Sequence, residues 1–554
     1  MRKLITIRCQ NNNTETQYPL GTSLFTILED QKIKLKYDAV GAYVNNEVEE
    51  LSYEIYKSKT VNFFDVENSD GMRMYIRSLF FVLLKAVKDI YPDITVMVEH
   101  AISNGYFCEL AREQKEISQE EIDKIRLQMQ SIVNKNIPFV RKEILRSEAI
   151  DIYEKNNAPE KARLFKQMGS IYTEVYELDG FIDFFYGYLI PSTGLIKNFG
   201  LQKLRHGMLL RIPEPGDINS LKPVIEQDKL FDVFSEHKRR VRILNANNIG
   251  RINEHLETGN IGNLIKVAEA LHEKKIADIA AKISSDSKIK LILIAGPSSS
   301  GKTTFSKRLQ IQLMVAERNT VQISMDNYFV NREDTPKDEK GEYDFETIKA
   351  LDLELFNKNI NSLIKGEEIE MPKFSFENGK RFYDGEKLKI SDKTIIIVEG
   401  IHALNPELTK QIEKELKYQI YISALTQIGI DGHNRIPTTD NRLLRRMIRD
   451  AKFRGYSAQE TIKRWDSVRS GERKNIFPYQ ENCDIMFNSA LIYELAVLKK
   501  HAEPLLREIP ETCIEHAESL RLLNFLSYFK EIPEKEIPPT SILREFISDS
   551  SFSY

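Results

Sequence analysis

The segment LILIAGPSSSGKTTFSKRLQ, residues 291–310, constrains this chain more than any other. Gly296 to Thr303 satisfies the spacing G-x-x-x-x-G-K-[ST], with an apolar, strand-like run before it and a helix-compatible run after it. That order predicts a strand, a tight phosphate-binding loop and a helix. The small residues from Gly296 through Ser298, Ser299 and Ser300 to Gly301 let backbone N–H groups close on phosphate oxygens, while the helix presents the positive end of its dipole. Lys302 is expected to reach the β and γ phosphates, Thr303 to help hold Mg²⁺, and Thr304 to continue the cradle.

Nucleotide binding alone does not separate a kinase from a GTPase or a motor, so further charged residues matter. VQISMDNYF reads as a strand ending in Asp326, where a carboxylate at the C-terminal edge of a parallel sheet can face bound phosphates and either orient and deprotonate an acceptor hydroxyl or contribute to the metal shell. IIIVEG ends a second buried strand in Glu399, suited to Mg²⁺. DNRLLRRMIRDAKFRG places Arg442, Arg445, Arg446 and Arg449 at spacings of three and four, which predicts a cationic helix face able to clamp a transferring phosphoryl group. By charge alone such a face is as readily a solvated surface.

At 554 residues the chain predicts three or four domains. Lysine and arginine (79) nearly balance aspartate and glutamate (82), which argues against a dedicated nucleic-acid binder with a broad basic field. Cys9, Cys108, Cys483 and Cys513 are scattered without CxxC spacing, so neither a zinc ribbon nor a disulfide framework is expected. With no signal-like N-terminus and no apolar run of membrane-spanning length, the expectation is a soluble, cytoplasmic protein. The fold class expected is multidomain, α+β followed by α/β. A small unit spans 1–65 and a mixed domain 66–225. A charged helical connector covers 226–285, an α/β domain with a parallel sheet 286–500, and a helical tail packed on that domain 501–554.

GPSSSGKTT, SMDNYF, YDFE, MPKFSF, IIIVEG and RLLRRMIRDAKFRG together resemble, in order and spacing, the uridine kinase and phosphoribulokinase family over roughly residues 288–500. The resemblance implies an ATP- and Mg²⁺-dependent kinase of a sugar hydroxyl. It makes Asp326 the base with Lys302 beside it, gives Thr303 and Glu399 to magnesium, and puts Arg449 and Arg454 on the nucleotide. Asp344, Arg446, Tyr328 and Phe374 would meet the acceptor. The acceptor pocket departs from uridine kinases, with Gly379 where a histidine is expected and Tyr456 and Arg464 replacing an arginine and a glutamine. An insertion, ALTQIGIDGHNRIPTTD, precedes the arginine-rich helix and could cover the pocket.

The front half is similar to another family. Residues 1–65 resemble a TGS domain, a β-grasp module. IRSLFFVLLKAVKDIYPD, SNGYFCEL and DFFYGYLIPSTG resemble the second domain of threonyl-tRNA synthetase. That domain edits with an HxxxH and a CxxxH pair, and the corresponding positions here are Arg77 and Phe81, then Phe185 and Leu189. None is a neutral imidazole or thiolate ligand, so editing chemistry is not expected and the three apolar residues are expected to fill the former site as core.

The leading expectation is a nucleoside kinase acting on the ribose 5′-hydroxyl, with the base undetermined. The alternatives are an RNA- or tRNA-associated regulatory NTPase and a sugar-phosphate kinase of the phosphoribulokinase type. The partners expected are a nucleoside, an RNA or nucleotide effector for the front half, and a second copy of the chain, with no membrane.

Overall fold

The computed structural model describes residues 3–553 except 113–115, 215, 338–340, 342 and 376. In the C-terminal half, five parallel strands lie in the order Asn319–Ser324, Thr394–Glu399, Leu291–Ala295, Lys417–Ser423, Ile485–Asn488. LILIA is buried throughout and TIIIVE is buried up to its last residue, as continuous apolar runs must be when both faces of a parallel sheet are covered. NTVQIS is half exposed because it closes the sheet edge. Since Leu291–Ala295 is central, its carboxyl end and those of its neighbours gather the phosphate loop, Ser324–Asp326 and Glu399 on one rim. Helix Lys302–Val315 follows the loop, and helix Ile261–Ser285 packs against it through Arg308, whose Nη2 lies 2.6 Å from Glu273.

The N-terminal module is a five-stranded sheet in the order Thr14–Pro19, Leu4–Cys9, Lys59–Phe64, Gly41–Val44, Glu47–Glu50. Helix Leu24–Gln31 is capped by Ser23, whose Oγ accepts from the Thr26 N–H, and is anchored by buried Leu24 and Ile27. Helix Ser69–Ile90, capped by Asn68, then sinks a nearly unbroken run from Ser78 to Val87 into the second domain. There a four-stranded sheet, Gly200–Leu204, Gly207–Arg211, Gly105–Leu110, Val96–Ile102, and a three-stranded sheet, Val140–Leu145, Tyr172–Leu178, Phe181–Asp183, complete the layer.

The two halves share a core. One cluster runs from Tyr153, Phe165 and Phe184 through Ile249 and Ile279 to Phe305, Ile422 and Ile430. The insertion that the sequence placed over the substrate pocket instead grips the front half. Val98 donates to the Gly432 carbonyl at 2.9 Å, Asn434 Nδ2 donates to Phe184 O at 2.9 Å, and Arg435 Nε donates to Glu99 O at 3.1 Å. The expected division at residue 500 falls inside helix Glu494–Arg507. The rest of the tail, with helix Glu515–Ser527, reaches back to the front half, where Arg73 pairs with Glu518 at 3.0 Å. Among the described residues no helix is long and apolar enough to cross a membrane.

Candidate active site at the phosphate loop

The loop is shaped by close backbone approach. A Cβ on Gly296 would lie 2.0 Å from the Ile422 carbonyl oxygen, and Gly301 adopts φ +81°, which disfavours any side chain there. Ser299 also has positive φ (58°), and the hydroxyls of Ser299 and Ser300 are buried with no hydrogen-bond partner among the described residues. Lys302 Nζ donates to the Gly296 and Pro297 carbonyls at 2.9 and 3.1 Å. Burial pushes its pKa down, against the pull of Glu399. Thr303 Oγ1 donates to Glu399 Oε1 at 3.1 Å, while Glu399 Oε2 is buried without a hydrogen-bond partner among the described residues. Desolvation raises the Glu399 carboxyl and Lys302 opposes the rise. A hydroxyl and a half-satisfied carboxylate side by side beneath a lysine form an oxygen-donor set that fits Mg²⁺.

Asp326 sits in the short 3₁₀ turn Met325–Tyr328 after its strand. Its side chain reaches solvent, yet the surrounding walls push its carboxyl above the usual range, with Lys302 pulling the other way. Its charge is also felt by Glu399, so base candidate, lysine and metal candidate share one electrostatic neighbourhood.

The arginine helix, Thr438–Phe453, divides its charges. Arg446 Nη1 donates to Ser298 Oγ at 2.9 Å and its Nε to Asp450 at 3.1 Å, so it lies on the phosphate loop, and its charge is also felt by Glu346 on the acceptor side. Arg449 and the half-exposed Arg454 pair with Asp450 at 3.2 and 3.4 Å, and the Arg449 charge reaches Lys302. Arg442 and Arg445 correct the expectation of a uniformly cationic clamp. Both are buried, Arg442 paired with Glu472 and Arg445 with Glu494, because a guanidinium in the interior is tolerated only with a carboxylate partner.

On the acceptor side, Asp344 Oδ1 accepts from the Glu346 N–H at 3.0 Å, and Phe374 packs at 5.5 Å, tilted, on Phe329. Tyr328 is a correction. Its ring is 1% exposed, edge-on to Phe356 at 5.1 Å, with its hydroxyl receiving Asn359 Nδ2 at 3.4 Å, so it supports the turn from below and does not reach a ligand. Gly379 turns a hairpin beside Arg332, whose N–H donates to its carbonyl at 2.8 Å. Tyr456 and Arg464 pair with each other, guanidinium over ring at 4.6 Å.

Two residues escaped sequence reasoning. His402, in EGIHAL just past Glu399, is 3% exposed, and desolvation pulls its pKa down to about 4 while the Glu346 backbone and then Asp344 oppose. Its signal was a lone histidine after a catalytic-strand carboxylate. Glu545, in the four-residue helix Arg544–Ile547, accepts from Thr304 N at 3.2 Å and Thr304 Oγ1 at 2.7 Å. Thr304 was expected to contact nucleotide; in this structure a carboxylate takes its donors. No sequence pattern links the two.

Residues 291–493 match the family model described as "Phosphoribulokinase / Uridine kinase family". The C-terminal half carries a domain of that family. It is therefore a P-loop kinase domain, a phosphotransferase of a family that in general uses ATP and Mg²⁺. Solved structures similar to the kinase domain include a putative fructose transport system kinase from Silicibacter sp. TM1040, at 14% identity over 38% of this chain and 98% of that chain with TM-score 0.25. A possible uridine kinase from Bacillus stearothermophilus, at 17% identity, covers 36% of this chain and 88% of its own with TM-score 0.23. The front half matches threonine–tRNA ligases. That of Clostridium kluyveri is 31% identical over 188 residues, 34% of this chain and 29% of the ligase, and that of Acetivibrio thermocellus is 30% identical over 247 residues, 40% and 39%. The chain thus spans three to four tenths of the length of these curated relatives.

The positions corresponding to the synthetase's editing ligands come together here as hydrocarbon. Phe81 and Phe185 meet at 5.0 Å between ring centroids, and both share a core with Leu189. Arg77 turns aside, its Nε donating to Tyr188 O at 3.0 Å. Among the described residues no group of three or more His, Cys, Asp or Glu side chains could hold a metal ion.

Proposed function

We propose that the protein is an ATP- and Mg²⁺-dependent nucleoside kinase that phosphorylates the 5′-hydroxyl of a ribose. The observation that carries this reading is the shared rim of Lys302, the Thr303–Glu399 pair and Asp326, one cation and two carboxylates that feel one another's charge at the strand ends.

In this reading Asp326 orients the acceptor hydroxyl and takes its proton, a role helped by a carboxyl raised above its ordinary range. Lys302, with Arg446 and Arg449 above the loop, stabilises charge spreading over the transferring phosphoryl oxygens, and most of the catalysis is positioning and charge stabilisation. Glu399 and Thr303 would hold Mg²⁺, which when bound neutralises phosphate charge. An uncharged acceptor is favoured over a sugar phosphate by the carboxylates on the acceptor side. Burial first and then Asp344 raise the pKa of its neighbour Glu346 against the pull of Arg446 and Lys302, and a further phosphate would meet the same carboxylate repulsion. His402, held neutral by burial close to the Glu346 backbone and Asp344, offers a donor or acceptor to an uncharged heterocycle or sugar.

The test is a transfer assay with γ-labelled ATP and Mg²⁺ against ribonucleosides, deoxyribonucleosides and sugar phosphates. Label is expected in a nucleoside 5′-monophosphate. Label only in a sugar bisphosphate, or only in inorganic phosphate, would overturn the reading.

A further inference from the structure

A cavity of about 530 Å³ lies where three parts of the molecule meet. One wall comes from front-half strands Val96–Ile102 and Gly105–Leu110, one from connector helix Asp228–Ile243, and one from the kinase-domain insertion around 426–436. The volume is that of an ordinary small-molecule site. Its polar inventory is uneven. Lys238 is spent on Glu99 and Glu109 at 2.5 and 2.7 Å. Arg239 and Arg242, exposed on the rim, carry no side-chain hydrogen bond or ion pair among the described residues. His100 is 7% exposed and stacked on Phe234 at 4.0 Å, and among the described residues its Nε2 has no hydrogen-bond partner; both Nε2 and Oε1 of Gln427 are likewise buried and unpartnered there.

Buried polar atoms left unpaired are costly, and three of them belong to residues that line one roomy cavity, where a ligand could pair with them once the side chains turn into it. A glutamine amide offers one donor and one acceptor side by side, matching a heterocycle edge with the complementary pair. Two rim guanidiniums suit a phosphate. We propose that this junction is a binding site for a nucleoside monophosphate, its base on Gln427 and His100 and its phosphate on Arg239 and Arg242. The insertion that contributes Gln427 runs directly into helix Thr438–Phe453, which carries Arg446 and Arg449, so an occupant touches the front half, the connector and the segment that leads into the helix capping the phosphate loop. The site is distinct from the phosphate loop and does not depend on the acceptor proposed above.

The experiment is calorimetric titration of AMP, UMP, ribose 5-phosphate and inorganic phosphate into the full chain carrying Lys302→Ala, which silences the phosphate loop. At least one nucleoside monophosphate should bind, and Gln427→Leu and the double variant Arg239→Ala/Arg242→Ala, the latter altering only exposed side chains, should each weaken it by about tenfold or more. Hydrogen exchange across 426–436 should slow on binding. No binding of either monophosphate, ribose 5-phosphate binding as tightly as both, or affinity unaltered in the two variants would overturn the proposal.

A second inference comes from the C-terminal strap and rests on the kinase reading. Ile542 Cγ2 lies 2.5 Å from where a Cβ on Gly301 would stand, Glu545 occupies the N–H and hydroxyl of Thr304, and Phe546 lies under the Arg445 guanidinium at 5.0 Å. Lys452 Nζ ties Ile547 O to the arginine helix at 2.7 Å. The first N–H groups of a helix that opens a phosphate loop are phosphate ligands, and an anionic carboxylate competes with phosphate for them. We infer that residues 541–547 form an autoinhibitory strap that bound nucleotide must displace. Glu545→Gln and Glu545→Ala should each tighten ATP binding by about tenfold, measured with a fluorescent ATP analogue, because a repulsive charge is removed. Unchanged or weaker binding in both variants would overturn the strap alone, whereas no ATP binding by wild type or variants would overturn the kinase reading and the strap with it.

Discussion

The phosphate-loop rim and the front-half cluster of Phe81, Phe185 and Leu189 treat polarity in opposite ways. At the rim, Lys302, Asp326 and Glu399 are held against the cost of desolvation, with pKa shifts that record that cost and a carboxylate oxygen left without a partner. In the front half, Phe81, Phe185 and Leu189 occupy the positions where ligands would be needed and bury themselves completely. Desolvated charge is a cost that a fold sheds when nothing requires it; hydrocarbon in its place contributes stability. The first region bears the cost of buried charge and the second does not.

Breaking the rim should cost function with little cost to folding. Asp326→Asn is expected to lower phosphoryl transfer by about 10²–10⁴-fold, the usual range for loss of a general base, with the melting temperature nearly unaltered. Lys302→Ala should lower turnover by about 10²–10³-fold by removing a charge that meets the transferring group. Near-normal turnover in either variant would erase the contrast. Breaking the filled pocket should do the reverse. Phe81→Ala is expected to cost about 3–5 kcal/mol in urea unfolding through lost burial and the cavity left behind, while turnover per folded molecule is retained.

The comparison sharpens further with pH. The Asp326 carboxyl is raised, so the acid limb of kcat/KM should lie above the ordinary carboxylate range and disappear in Asp326→Asn. His402 gives the smallest effect. Its folded pKa is about 4 against 6.5 when unfolded, so the unfolded chain binds the proton first and stability falls as pH drops from 6.5 towards 4. His402→Asn should flatten that part of the melting-temperature profile, and an unaltered slope would contradict the burial of a neutral imidazole there.

Much of this was legible in the sequence because the relevant signals are local. The strand, loop and helix around GPSSSGKTT, the carboxylates at two strand ends and the missing editing ligands each sit within a few residues of their own context. Long-range pairing was not legible. Periodicity could place Arg442 and Arg445 on a helix, but only the fold brings Glu472 and Glu494, 30 and 49 residues away, to bury them. Tyr328 sits in SMDNYF like a ligand-facing aromatic, and only the turn geometry points it into the core. Glu545 lies 241 residues from Thr304, in a tail without strong pattern, and the insertion before the arginine helix gave no hint that its partner is the front half.

The most direct test of the kinase account is the stoichiometry of the reaction. Followed by ³¹P NMR with purified full-length chain, ATP, Mg²⁺ and a ribonucleoside that the transfer assay identifies, each ADP formed should be matched by one nucleoside 5′-monophosphate, and both should vanish together in Asp326→Asn. ADP matched by inorganic phosphate, at a rate indifferent to every nucleoside and to Asp326, would contradict it.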